Sequence, residues 1–116
     1  MDPQPSIRIE IYVTAAGDAP FERWIDGLRD RMARAKVRVQ IDRLSLGNFG
    51  KCRFLKGGLG ELKIDWGPGY RVYFGMVDQK AVLLLCGGDK SSQQKDIDRA
   101  QEYWAGFRRR HHGKPS

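Results

Sequence analysis

A small α+β domain with a mostly antiparallel sheet, in the order β-α-α-β-β-β-α, is the fold class this sequence predicts. Three observations predict it. Isoleucines at 7, 9 and 11 alternate with polar residues, and GLGELKIDWGPGYRVYFG, residues 59–76, alternates on both sides of a Gly-Pro-Gly turn. Apolar residues recur at helical spacing from residue 21 to 44 and again from 97 to 107. The chain has 116 residues, 41% of them hydrophobic, which suits one core rather than two.

In chain order, residues 1–6 carry two prolines and no pattern, and are expected to form a flexible tail. Residues 7–13 read as the first strand and 15–19 as a loop. Asp18 is a candidate cap for a first helix, with Pro20 in its first turn, where a missing N–H is tolerated. Phe21, Trp24, Ile25 and Leu28 form its stripe, and a break is expected near residues 27–30. Residues 32–46 alternate like a strand in places. A helix is preferred there because Asp30 can cap it, its residues are helix formers and Gly47 follows as a terminator. Its basic residues Arg31, Arg34, Lys36, Arg38 and Arg43 share no single face, as expected of a solvated helix.

Residues 51–55 read as a short strand interrupted by Gly57 and Gly58 and continued over 59–66. The chain turns at Gly67-Pro68-Gly69 and returns over 70–77. Residues 80–86 are apolar enough for a strand covered on both faces, and Gly87-Gly88 is expected to end it. Ser91 with Gln94 resembles a capping box ahead of a last helix whose buried stripe is Ile97, Ala100, Trp104 and Phe107. The domain is therefore expected to span residues 7–107, with 108–116 a basic flexible tail.

The formal charge of +7 and the pI of about 9.7 suit an anionic partner, although solubility alone would explain them. Cys52 and Cys86 sit in apolar stretches and read as buried free thiols rather than a disulfide. They form no paired CxxC, so no metal or other cofactor is expected. No signal peptide is visible at the start, and the run at 81–86 is far too short to span a bilayer, so a cytoplasmic location without membrane contact is expected.

The hairpin carries the chemistry. With Trp66 opposite Tyr70, Asp65 faces Arg71, Ile64 faces Val72, Lys63 faces Tyr73 and Leu62 faces Phe74. Leu62, Ile64, Trp66, Tyr70, Val72, Phe74 and Met76 then line one surface, and Glu61, Lys63, Asp65, Arg71 and Tyr73 the other. Opposed residues sit roughly 5 Å apart at Cβ. Two readings fit this polar face: a cross-strand ion pair between Asp65 and Arg71, or a site that grips a phosphate. Lys90, just after the last strand, has no capping role, because a cation is unfavourable at a helix N-terminus. Arg53 and Lys56, on the preceding short strand and turn, are further candidates for substrate contact.

GLGELKIDWGPGYRVYFG followed by VLLLCGGDKSSQQKDIDRAQEYW resembles the RelE/ParE toxin superfamily of bacterial toxin–antitoxin systems, and within it the HigB-like addiction module killer proteins. The likeness covers roughly residues 8–106. It implies a curved antiparallel sheet with two N-terminal helices packed on one face, and it favours helix for residues 32–46. It implies a ribosome-dependent endonuclease that cuts mRNA, inhibiting translation. The expected partners are a small helix-turn-helix antitoxin, the ribosome and mRNA, and operator DNA only through the antitoxin complex. RNA can be cut without a metal when its own 2′-OH attacks the adjacent phosphate. Arg71 matches the family arginine of the YRV strand, Lys63 the basic position of the ELR-type strand, and Lys90 a position after the last strand. These three and Glu61 are the expected catalytic residues, with Tyr73, Arg53 and Lys56 as substrate contacts. Some HigB-type members use a histidine, whereas here the only histidines are His111 and His112 in the tail. The C-terminal catalytic residue of some relatives would fall near residues 95–103. The alternative is a non-catalytic ParE-like gyrase poison, or a degenerate toxin acting only by binding its antitoxin and regulating its operon.

Overall fold

The structure is a computed structural model and describes residues 6–112. Its elements are β1 (Arg8–Ile11), α1 (Pro20–Asp26), α2 (Arg31–Ser45), β2 (Cys52–Phe54), β3 (Leu59–Ile64), β4 (Tyr70–Val77), β5 (Ala81–Asp89) and α3 (Gln93–His112). One-turn 3₁₀ segments at Lys56–Gly58 and Lys90–Ser92 precede β3 and α3. The five strands form one mixed sheet in the order β1-β5-β4-β3-β2. Only β1 runs parallel to its neighbour, β5. The α+β class and the mostly antiparallel sheet therefore stand.

The sheet gains one strand over the expected order. Residues 52–54 do not continue into β3: the chain reverses through Gly57 and Gly58, and Arg53 pairs antiparallel with Glu61. Both helix starts also differ from expectation. Asp18 does not cap α1; its carboxylate pairs with Arg23 at 2.7 Å, and Ala19 holds the cap position. Before α3, Asp89 and Ser92, rather than Ser91 and Gln94, form the capping box, around the turn at Lys90–Ser92. Asp30 does cap α2, accepting from the Met32 amide at 2.9 Å.

α3 runs through His112, so the described part of the expected C-terminal tail is helical. Residues 113–116, and all but Ser6 of the expected N-terminal tail, lie outside the described residues.

The two faces of the sheet are covered by different helices. On one, Phe21 and Ile25 of α1 and Val37, Ile41 and Leu44 of α2 pack on Leu62, Ile64, Val72, Phe74, Val82 and Leu84. On the other, Ala100 and Trp104 of α3 pack on Leu59, Tyr73, Leu83, Leu85 and Cys86. β5 is buried on both sides, as its continuous apolar run requires. A bulge between Tyr73/Cys86 and Phe74/Leu84 leaves Leu85 unpaired, so Leu85 and Cys86 share the α3 layer.

Gly87 and Gly88 do not end β5; they pair with Val72 and Arg71. Their lack of side chains admits close neighbours. A Cβ on Gly87 would lie 2.3 Å from the Trp24 ring, and one on Gly88 would lie 1.8 Å from Asp96 Oδ2. These two residues let α1 close on one side and the first turn of α3 on the other.

The hairpin register is corrected by two residues. Ile64, not Trp66, lies opposite Tyr70, so Lys63 faces Arg71, Glu61 faces Tyr73 and Leu62 faces Val72. Trp66 lies in the turn instead, its carbonyl accepting from the Gly69 amide; its indole N–H donates to Asp30 Oδ2 at 3.0 Å and its ring sits 4.6 Å beneath the Lys36 ammonium. A shift of two preserves which residues share a face, since strand side chains repeat every second residue.

Candidate functional site

β2, β3, β4 and the start of α3 surround an open cleft of about 530 Å³ lined by Lys51, Cys52, Arg53, Glu61, Lys63, Arg71 and Gln93. Four of these side chains are cationic and one is a carboxylate. Strand pairing assembles them: Arg53 is opposite Glu61, Lys63 is opposite Arg71, and Glu61 and Lys63 are two apart on β3.

Glu61 is the hub and is only 4% exposed. Oε1 accepts from Arg53 Nε at 2.6 Å. Oε2 accepts from the Tyr73 hydroxyl and from Gln93 Nε2, each at 3.0 Å. Burial pushes its pKa up, but the hydrogen bonds from Arg53, Gln93 and Tyr73 outweigh burial and hold the carboxyl below its ordinary value. A carboxylate so placed is a weak base. Its role in this geometry is to stay charged and orient its donors.

Tyr73 is wholly buried, so it has no surface on which a base could stack, contrary to the expectation for it. Burial first, then the adjacent Glu61 charge, raises its pKa, which keeps the phenol neutral and a donor.

Arg71 is 7% exposed. Its Nη1 donates to the Gly69 carbonyl at 2.9 Å. Its Nε is buried with no hydrogen-bond partner, the Glu61 carboxylate being 3.9 Å away. An unsatisfied buried N–H on a cation is unfavourable, by about 1–3 kcal/mol or more. Lys63 stands directly across the ladder, half exposed, with Asp65 Oδ1 3.8 Å from its ammonium. The expected Asp65–Arg71 pair does not form. Asp65 lies beyond the end of β3 and bonds instead to Lys51.

Lys90 is exposed and does not line the cleft, yet its stem is close. A Cβ on Gly69 would lie 3.6 Å from Arg71 Nη1 and 3.8 Å from Lys90 Cβ, so the two cations flank this glycine. Lys56, in the turn before β3, is exposed and outside the cleft lining.

Gln93 and Lys51 were missed by sequence reasoning. Gln93 reads there as one helix-start residue among several, and only the docking of α3 on the sheet brings it to Glu61. Lys51 could have been found from its alternation with Arg53 on the short strand. Burial pushes the Cys52 thiol up to about 11, and Cys86 is raised to about 12 chiefly by burial, which disfavours the thiolate at both. Both cysteines are free. Among the described residues, no helix is long and apolar enough to cross a membrane.

No protein-family model matches the chain. A protein of Haemophilus influenzae (strain Rd), described as an uncharacterized protein, is 47% identical over 81 residues, covering 70% of this chain and 82% of its own length.

Proposed function

We propose that the chain, which belongs to one family with that Haemophilus influenzae protein, is a toxin of a type II toxin–antitoxin system, RelE-like and nearest the HigB group, which cuts mRNA on the ribosome in the cytoplasm. The observation that carries the reading is the buried Arg71 guanidinium, its Nε unpartnered, in a cleft with Lys51, Arg53 and Lys63 around a single carboxylate. Such a cleft suits a phosphodiester, whose charge grows as the 2′-oxygen attacks.

In this reading Arg71 and Lys63 hold the non-bridging phosphate oxygens from opposite strands. The substrate 2′-OH attacks phosphorus and gives up its proton to water at the open mouth of the cleft. The bond from phosphorus to the 5′-oxygen breaks, and that oxygen takes a proton from the Lys90 ammonium beyond Gly69. The products are a 2′,3′-cyclic phosphate and a 5′-hydroxyl. Glu61, expected from the sequence to be catalytic, takes no part in proton transfer in this reading; clamped by Tyr73 and Gln93, it fixes Arg53 and faces Arg71. The antitoxin partner, and operator contact through it, belong to the same proposal.

Expression of the wild-type chain and of Arg71→Ala, with mapping of cellular mRNA 5′ ends, tests it. Codon-phased cuts that vanish in the variant are expected. Gyrase-linked DNA damage would favour the gyrase-poison alternative instead, and neither outcome with a toxic wild type would sink the nuclease reading.

A further inference from the structure

Cleavage in the cleft makes no use of α2. That helix buries Ala33, Val37, Ile41 and Leu44 in the core. Met32, Ala35 and Val39, at i, i+3 and i+7, form a second apolar stripe, and this one is exposed. Met32 is 52% exposed and Val39 46%. Single exposed apolar side chains are ordinary, but three that adjoin on one helix face make a patch.

The stripe lines an open groove of about 600 Å³, together with Lys63 and Ile64 at the end of β3 and the loop residues Asn48, Gly50 and Lys51. Four cations line it, Lys36, Arg43, Lys51 and Lys63, against one carboxylate, Asp65. Asp65 bonds to Lys51, and its other oxygen lies 3.8 Å from the Lys63 ammonium. Lys36 lies over the Trp66 ring. Arg43 is exposed and enters none of the ion pairs among the described residues. One carboxylate among four cations leaves the groove strongly positive. Lys51 and Lys63 line the cleft as well.

We propose that this groove seats an amphipathic helix of a partner protein, apolar on the face that meets Met32, Ala35 and Val39 and acidic along its flanks. The stripe calls for an apolar face, and the surplus of cations calls for carboxylates beside it. Backbone accounting calls for a helix. β3 is hydrogen-bonded to β2 on one side and to β4 on the other, and the α2 backbone is paired within its own helix. Neither can add a strand, so an occupant lying between them must satisfy its own N–H and C=O groups. From Met32 to Arg43, α2 rises roughly 16 Å, which matches about three turns of a partner helix. A second copy of this chain, itself carrying +7, would bring like charge to a positive groove. Because Lys51 and Lys63 serve both places, the docked helix sits against two of the cleft's cations. Any effect on cleavage rests on the proposed function; the docking does not.

The test is fluorescence anisotropy with a labelled, lactam-stapled helical peptide bearing leucines at i, i+3 and i+7 and glutamates on both flanks. A counterpart carries lysine in place of every glutamate. The full-length wild type, Met32→Ser/Val39→Ser, Arg43→Gln/Lys63→Gln and Val13→Ser are compared, with thermal melting to confirm folding. Val13 is exposed and outside the groove, and serves as the control. Wild type should bind the acidic peptide and not the basic one. Met32→Ser/Val39→Ser should weaken binding at least about tenfold. Arg43→Gln/Lys63→Gln should weaken it and make it less sensitive to salt, and Val13→Ser should bind as wild type does. No binding of the acidic peptide, equal binding of the basic one, or wild-type affinity in either groove variant would each overturn the proposal. Sedimentation velocity of the chain alone supplies a further check: self-association that disappears in Met32→Ser/Val39→Ser would give the groove to a second copy instead. Failure of the nuclease reading would appear in the mRNA-end map and leave these affinities unmoved.

Discussion

The two faces of the sheet are built on different terms. Under α1 and α2 the contact is apolar throughout, from Phe21 and Ile25 across Val72 and Phe74 to Leu84. Under α3 the apolar contact stops part-way. Leu83, Leu85 and Trp104 give way along β3 and β4 to Tyr73, Glu61 and Arg71. The first face is free to maximise burial. The second buries polar groups that must find partners, and among the described residues the buried side-chain atom left without one is Arg71 Nε. The wholly apolar packing lies on one side of the sheet, and the unsatisfied Arg71 Nε on the other.

The sharpest way to break this contrast is to damage the apolar face. Phe74 is wholly buried, and its ring lies against those of Phe49 and Phe54, with centroids 6.5 and 6.0 Å away. Phe74→Ala should cost about 3–5 kcal/mol in urea unfolding, by lost burial and the cavity left behind. If its cost were no greater than that of substitutions around Glu61, the two faces would not differ as described.

Gly88→Ala should come next. The new methyl group meets Asp96 Oδ2 and pushes the first turn of α3, with Gln93, off Glu61. Overpacking of this kind costs about 1–3 kcal/mol. Under the proposed function, cleavage should fall although no cleft side chain has changed; undiminished cleavage would mean that α3 docking does not position Glu61.

Glu61→Gln should cost a similar or smaller amount at neutral pH, about 1–2 kcal/mol, through loss of the charge-assisted bond from Arg53. The sign of its pH dependence is fixed by the lowered carboxyl. Glu61 contributes fully above its unfolded value, near pH 4.3, and that contribution fades as pH falls through the lower folded value. Melting curves of wild type and Glu61→Gln should therefore converge as pH falls below the ordinary carboxylate range. A gap that persists there would place the effect in shape rather than charge.

Asp65→Asn should be the mildest. Both partners of the Lys51–Asp65 bridge are at least half exposed or nearly so, and a surface pair contributes less than about 1 kcal/mol. A larger loss of stability would mean that the bridge, rather than strand pairing, holds Lys51 at the cleft.

Much of this was legible from local pattern. The partition of Leu62, Ile64, Val72 and Phe74 from Glu61, Lys63, Arg71 and Tyr73 follows from the period of two. The Asp30 cap and Gly47 terminator marked α2, and the unbroken run at 81–86 marked a strand buried twice. Which residues stand opposite each other was not legible. A two-residue slip leaves every face unchanged, so the pattern could not prefer Lys63–Arg71 over Lys63–Tyr73. In the structure Trp66 sits in the turn, its carbonyl accepting from the Gly69 amide and its indole N–H donating to Asp30.

By itself, then, the sequence determined the elements and their apolar sides, because periodicity and capping act over a few residues of chain. Only the tertiary structure decided that α3 would roof the polar ribbon, burying Glu61 and Tyr73 and bringing Gln93 to them. An amphipathic helix declares that it has a face to bury but not the surface that will receive it, and the burial of a charged group is a property of whatever arrives above it.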